Sequence, residues 1–213
     1  MKVKSLSEQV YDYIYRLIRT GKLKYNDKID DVALVEELGV SRTPIREALI
    51  QLSSDGLLTS RPRKGFFVQE QSEEEMNQAF NVIACLDCYA LELAVQCTDL
   101  PQLIRSMRSC IEKIDIAIQE QDYEKYYDWQ EAFHLMYQEK CQNQILQNEL
   151  SNLLRRWLRM TYYCSDAGKL FDLLRVINGQ HKSIVDAVEK RDLNRAKELL
   201  KDHWTRSYTP EGE

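Results

Sequence analysis

Residues 34–68 read LVEELGVSRTPIREALIQLSSDGLLTSRPRKGFFV, and their punctuation decides the fold. Gly39 stops an apolar-periodic run that carries Val32, Leu34, Val35 and Leu38. One residue later Ser41, a type that caps helix N-termini, starts a second run. Ile45, Ala48, Leu49 and Leu52 recur there at helical spacing, with Pro44 in the first turn, where a missing N–H is not needed. Two helices joined by a tight glycine turn predict a helix-turn-helix. After Gly56 the chain alternates like a strand, breaks over residues 61–65 at RPRKG, and resumes as Phe66, Phe67 and Val68. This predicts a hairpin with a basic tip, a wing. Upstream, Ser5 and Glu8 form a capping box ahead of Leu6, Val10, Ile14 and Leu17, so a third helix completes the module before Gly21.

The whole chain of 213 residues carries a formal net charge of −5. Taken as a single number, that speaks against a nucleic-acid partner. The total conceals an asymmetry. Residues 1–69 hold 12 Lys and Arg against 9 Asp and Glu, whereas residues 70–213 hold 17 against 25. A basic module on an acidic body is the pattern of a DNA-facing domain attached to something else. The acidic run QEQSEEEM separates the two, which places a linker at 70–75 between domains at 1–69 and 76–213. Seven Gly and four Pro exclude a turn-rich β architecture. No secretory signal and no uncharged apolar run of about 20 residues is found, so a cytoplasmic chain without a membrane partner is expected. Cys85 and Cys88 make a CxxC, but inside a helical pattern with no second pair. All six cysteines are read as buried free thiols.

Within the first domain, Arg42 and Arg46 project from the N-terminal half of the helix that starts at Ser41, the part that enters a major groove, and Arg63 and Lys64 occupy the wing tip. Arginine reads guanine O6 and N7 in bidentate fashion, while Ser41, Thr43 and a helix N-terminus suit phosphate oxygens. A solvated basic face is the bland alternative for each residue alone. The run from Leu34 to Val68 closely resembles the winged-helix domain of GntR-type bacterial transcription regulators, whose usual wording is LA-x-x-LGVSRTPVREAL followed by a basic turn and G-x-F-V. The resemblance implies DNA contacts from Ser41, Arg42, Thr43 and Arg46, and from Arg63, Lys64 and Gly65. Some members place an Arg at the start of the second helix, where this chain has Val32, and the contact it would make is lost.

Beyond residue 70 the pattern is helical throughout, which predicts an antiparallel bundle with runs near residues 76–94, 101–121, 123–140, 143–164, 168–190 and 192–206. Ser72 and Glu75 form a second capping box. All three histidines fall on apolar stripes. His134 follows Gln130 by one turn on a face with Tyr126, Tyr127, Phe133 and Tyr137. His181 shares a face with Ile184 and Val188, and His203 follows Ala196 and Leu200. Residue 192 is midway between His181 and His203. An antiparallel hairpin turning there, at about 1.5 Å per residue, brings the two imidazoles level. A hydrogen-bonded core histidine is the commoner fate of any one of them, but three at inward positions suit a shared divalent transition metal.

The second domain resembles the FCD effector domain of the FadR-like branch of that family, through Phe133, His134 and Asn143 and through the spacing from His181 to His203. The resemblance implies a metal, Zn or Ni, held by His134, His181 and His203 with an Asp that here is Gln130. Asp128 is two residues away and points off that face. The family's R-x-x-L-E reads Ile83-Ala-Cys-Leu86-Asp87, so the Arg that meets an effector carboxylate is absent. An effector pocket formed by Ile83, Asp87, Gln130, His134, His181 and His203 is implied, for a small organic acid. The chain is thus expected to be a mainly α protein, a winged helix-turn-helix followed by an all-helical bundle. It is expected to act as a homodimeric, effector-controlled regulator, a repressor, of operator DNA. A metal-dependent hydrolase using the three histidines, or a bundle that only dimerises, are the alternatives. No HExxH or equivalent general base accompanies the histidines, which counts against the hydrolase.

Overall fold

The computed structural model describes residues 4–157 and 167–205. Contacts divide them into two compact units, the first made by residues 4–73 with 155–157 and the second by 74–154 with 167–205. The first holds α1 (Leu6–Arg19), α2 (Asp31–Leu38), α3 (Arg42–Ser54), β1 (Leu58–Arg61) and β2 (Gly65–Val68). The capping box at Ser5 and Glu8 forms as its spacing predicts. Gly39 ends α2 in the left-handed conformation at φ 64°, the reason a glycine stands between the two helices of the motif. Ser41 occupies the N-cap of α3, but its side chain makes no capping bond, contrary to the role read from its type. Val32 also departs from expectation, standing half-exposed on α2 while Leu34 goes inward. Ile14, Ile45, Ala48, Leu52, Leu57 and Val68 form the centre of this unit's core. Full burial of a side chain such as Ile14 contributes about 1.5–3 kcal/mol.

The strands pair antiparallel in the register Leu58↔Val68 to Arg61↔Gly65. At the turn Arg63 takes φ 61° and Gly65 φ 98°. Arg61 is fastened down, its guanidinium 4.2 Å from the Phe67 ring centroid and donating to Asn26 Oδ1 at 2.9 Å. The wing therefore has a pinned base below its basic tip.

The second unit contains α4 (Glu73–Cys97) from residue 74 on, α5 (Leu100–Gln119), α6 (Tyr123–Gln138), α7 (Gln144–Trp157) as far as residue 154, α8 (Ala167–Glu189) and α9 (Leu193–Thr205). Residues 158–164 of the run expected at 143–164, and residue 206, lie outside the described residues. α5 packs against α6 and α8, and α8 against α9. Two hairpins use one device. Gln121 and Arg191 adopt positive φ, and the aspartate after each caps the next helix, Asp122 accepting from Lys125 N–H and Asp192 from Arg195 N–H. Each aspartate's own N–H reaches back to an alanine carbonyl, Ala117 or Ala187, closing the preceding helix. Asn143 accepts from Leu146 N–H at the start of α7.

α4 is long and apolar enough to cross a membrane by length and composition. Ile83, Ala84, Asp87, Ala90, Leu91 and Ala94 are nevertheless buried in the bundle, and Glu92 is paired with Lys197 of α9, as in a core helix. The described cysteines are free, as expected, but not all buried: Cys85 and Cys97 are exposed, because α4 turns only one side inward. Cys88 is half-buried and donates to the Lys197 carbonyl, and burial with Asp87 beside it pushes its thiol up to about 12. A thiol held protonated in this way is a poor metal ligand or redox group. Cys164 lies outside the described residues.

Candidate functional site

Ser41, Arg42, Thr43 and Arg46 all lie exposed on the N-terminal half of α3. The helix is held from behind by Pro44, Ile45, Ala48, Leu49 and Leu52, all buried, so one turn offers two guanidinium groups while the opposite face is locked into the core. Arg63, Lys64 and Gly65 are exposed at the wing tip. Arg42, Arg46, Arg63 and Lys64 make no ion pair with any described residue. A cation without an internal partner can meet a phosphate or a base edge without first breaking a bond.

In the bundle, α6, α8 and α9 bring His134, His181 and His203 together, with ligand atoms all within 4.8 Å of one another. Each ring is buried. The pairwise centroid distances are 5.4 Å for His134 and His181, 5.2 Å for His134 and His203, and 4.7 Å for His181 and His203. The turn at residue 192 does level the last two.

The partners of Nδ1 decide what each ring can do. His203 Nδ1 lies 2.9 Å from Gln180 Oε1 and His181 Nδ1 3.3 Å from Asn178 Oδ1. Both oxygens can only accept, so each Nδ1 carries the proton. Asn178 is itself fixed with its amide nitrogen donating to Asp115 and to the Ile111 carbonyl. His134 Nδ1 meets the Tyr137 hydroxyl at 2.8 Å, and that hydroxyl donates its one proton to Asp87 Oδ2 at 2.6 Å. The hydroxyl oxygen must then accept from His134 Nδ1–H. With each Nδ1 so engaged, Nε2 is the atom that each ring leaves for a ligand.

His134 Nε2 and His203 Nε2 are 3.3 Å apart. That separation matches the edge of a tetrahedron with metal–nitrogen bonds of about 2.0–2.1 Å. His181 Nε2 has no hydrogen-bond partner, and neither has Gln130 Nε2, buried one turn before His134. Burial and the neighbouring imidazoles hold His181 well below the ordinary histidine range, and burial with His134 does the same for His203. Neutral imidazoles with outward-fixed Nδ1–H groups are the form in which histidine ligates a metal, and the donor set fits a divalent ion.

Ile83 and Asp87, also expected in the pocket, are wholly buried on α4. Asp87 faces three protein donors, Tyr137 Oη, Gln138 Nε2 at 2.7 Å and Trp204 Nε1 at 2.7 Å. Sequence reasoning missed Gln138, Trp204, Asn178 and Gln180 altogether. The signal was a polar residue close to a buried histidine: Asn178 three residues and Gln180 one residue before His181.

The family model for "Bacterial regulatory proteins, gntR family" matches residues 6–68, and that for the FCD domain matches 78–206. The HTH-type transcriptional regulator YdhC of Bacillus subtilis (strain 168) is 27% identical over 92% of this chain and 86% of its own length. The HTH-type transcriptional repressor RspR of Escherichia coli (strain K12) is 23% identical over 93% of this chain and 85% of its own. The solved structure of E. coli McbR/YncC shares the fold with a TM-score of 0.80 at 24% identity, covering 95% of this chain and 94% of that one.

Proposed function

The chain belongs to the gntR family of bacterial regulatory proteins, as a DNA-binding transcription regulator with an FCD domain, and we propose that it is a repressor whose operator affinity is set by a small carboxylate effector at a divalent metal in its bundle. The observation that carries the metal reading is the convergence of three buried imidazoles whose ligand atoms lie within 4.8 Å of one another. His134, His181 and His203 would hold the ion, and Gln130 can add a neutral carbonyl oxygen. A bound Zn or Ni would supply Lewis acidity at its remaining positions, and those attract an anion. With Ile83 at the arginine position of the resembled family's R-x-x-L-E, an effector carboxylate has no guanidinium to meet on that turn, which supports anchoring at the metal. The name of RspR favours repression. The test is a mobility-shift titration on DNA fragments selected by the purified protein, with and without Zn and candidate carboxylates. Binding to a specific sequence that these ligands never alter would refute effector control.

The hydrolase alternative has less support. Asp87, the one buried carboxylate among the described residues, lies on the Nδ1 side of His134 and is held by three protein donors, so it is not placed as a general base.

On the DNA side, Lys64 at the wing tip suits a phosphate. Lys64→Ala is expected to weaken binding to all sequences alike and to reduce the salt slope by about 0.9, as one fewer phosphate is neutralised. An unchanged slope in titrations across salt concentrations would remove Lys64 from the interface.

A homodimer is proposed through α4. Gln78, Val82, Cys85, Tyr89 and Gln96 recur at helical spacing on its outer side, with Val82 50% and Tyr89 49% exposed. The stripe bears no charge, so two copies can meet across a two-fold axis without like charges opposing. Val82→Glu with Tyr89→Glu is expected to give a monomer by light scattering. A dimer persisting in that variant would move the interface elsewhere.

A further inference from the structure

Among the described residues Asp87 is the only carboxylate that is buried, and its exposure is 0%. A carboxylate in that position is costly unless every oxygen is met. Here Oδ1 accepts from Gln138, and Oδ2 accepts from both Tyr137 and Trp204. All three partners are donors, the pattern of an ionised carboxylate. Oδ2 also lies 3.3 Å from His134 Nδ1. The same oxygen thus touches α6, which carries His134, and α9, where Trp204 follows His203. Burial and Asp87 together hold the Tyr137 hydroxyl well above its ordinary range, so it keeps its proton and stays a donor to Asp87.

Among the described residues no other buried carboxylate stands near the three histidines. Gln130 brings no charge, and the walls are aromatic: Phe133 lies 4.4 Å from His181 and Trp204 4.7 Å from His134, centroid to centroid. A divalent cation in such a place lacks a compensating negative charge. We infer that Asp87 is the positioning carboxylate of the metal site, fixing His134 as a ligand through Tyr137 and supplying from behind the ring the negative charge that Gln130 does not bring. The inference rests on the metal reading above. A carboxylate behind a ligating imidazole raises its basicity and fixes its orientation, and loss of such a partner lowers metal affinity 10–100-fold. Asp87 belongs to the framework of the site and is not a contact for the effector.

The alternative is a purely structural Asp87 that only ties α4 to α6 and α9. Asp87→Asn separates the two, because the amide oxygen can still accept from Tyr137 and Trp204 while the Gln138 amide turns over. The probe is Zn²⁺, titrated in competition with a chromophoric chelator, with circular dichroism and melting of the metal-free protein as the fold control. Asp87→Asn is expected to keep the helical spectrum and weaken Zn²⁺ binding 10–100-fold. Adding Gln130→Asp returns the charge to the cluster and is expected to restore affinity to within a few-fold of the original chain. A folded Asp87→Asn protein with undiminished affinity overturns the inference, as does failure of Gln130→Asp to rescue it. If Asp87→Asn does not fold, Tyr137→Phe decides, since it keeps the ring and cuts the relay; unchanged affinity in that variant overturns the inference. If the unmodified chain and His181→Ala alike bind no Zn²⁺, the metal reading has failed first and the inference falls with it.

Discussion

His181→Ala is expected to abolish tight zinc binding while leaving the sequence preference of the winged helix unchanged. Four-ligand structural zinc sites gain about 10–16 kcal/mol in all, so one donor of such a set is worth on the order of 3–4 kcal/mol, or at least two orders of magnitude in affinity. His181 suits this test because its Nε2 has no hydrogen-bond partner: removing the ring deprives no other group of a bond on that side. The lost ring sits against Phe133, however, so some loss of stability in the bundle accompanies the substitution. Zinc should therefore raise the melting temperature of the original chain and leave that of His181→Ala unmoved. Calorimetric scans with zinc and with a chelator check both. A variant that is still stabilised by zinc to the original extent would remove His181 from the metal site.

Arg46→Ala is expected to cost about 1–3 kcal/mol in specific operator binding, a factor of roughly 5 to 150, if the guanidinium reads a base in bidentate fashion. The effect should be confined to the preferred sequence, with nonspecific DNA bound almost as before. Two features of the structure make the expectation sharp. Arg46 is exposed and has no internal ion pair, so no compensating bond is released when it goes. Ile45 and Ala48 on either side are buried, so the helix itself is anchored independently of the arginine. Equal losses on specific and nonspecific DNA, measured by competition, would reassign Arg46 to a phosphate.

Much of this was readable in the chain before any coordinates. The helix-turn-helix follows from Gly39, Ser41 and a four-residue apolar repeat, because those signals are local: a left-handed turn and an amphipathic helix need only neighbours in sequence. The level placement of His181 and His203 was also legible, since a hairpin turning at residue 192 leaves one free parameter, the register, and the helical rise fixes it. What could not be read was the environment of Asp87. Its donors come from residues 50, 51 and 117 positions away. Tyr137 was legible as part of an apolar stripe, but its hydroxyl's partner was not, because an amphipathic pattern records which side of a residue is buried and not what it meets there. Ser41 shows the opposite limit, where residue type correctly marks a helix start but not the bond that its side chain makes.

The indole of Trp204 donates to Asp87, and its ring lies 4.7 Å from that of His134 and 5.4 Å from that of His203. The chain's other tryptophans have different surroundings, with Trp129 lying under the Lys113 ammonium. A fluorophore hydrogen-bonded to a buried carboxylate and leaning on two imidazoles responds to any change in charge at those rings. The bundle therefore contains its own optical gauge. If a metal enters the histidine cluster, the emission of Trp204 is expected to change, and Trp204→Phe, which keeps the signal of Trp129 and Trp157, should lose that change.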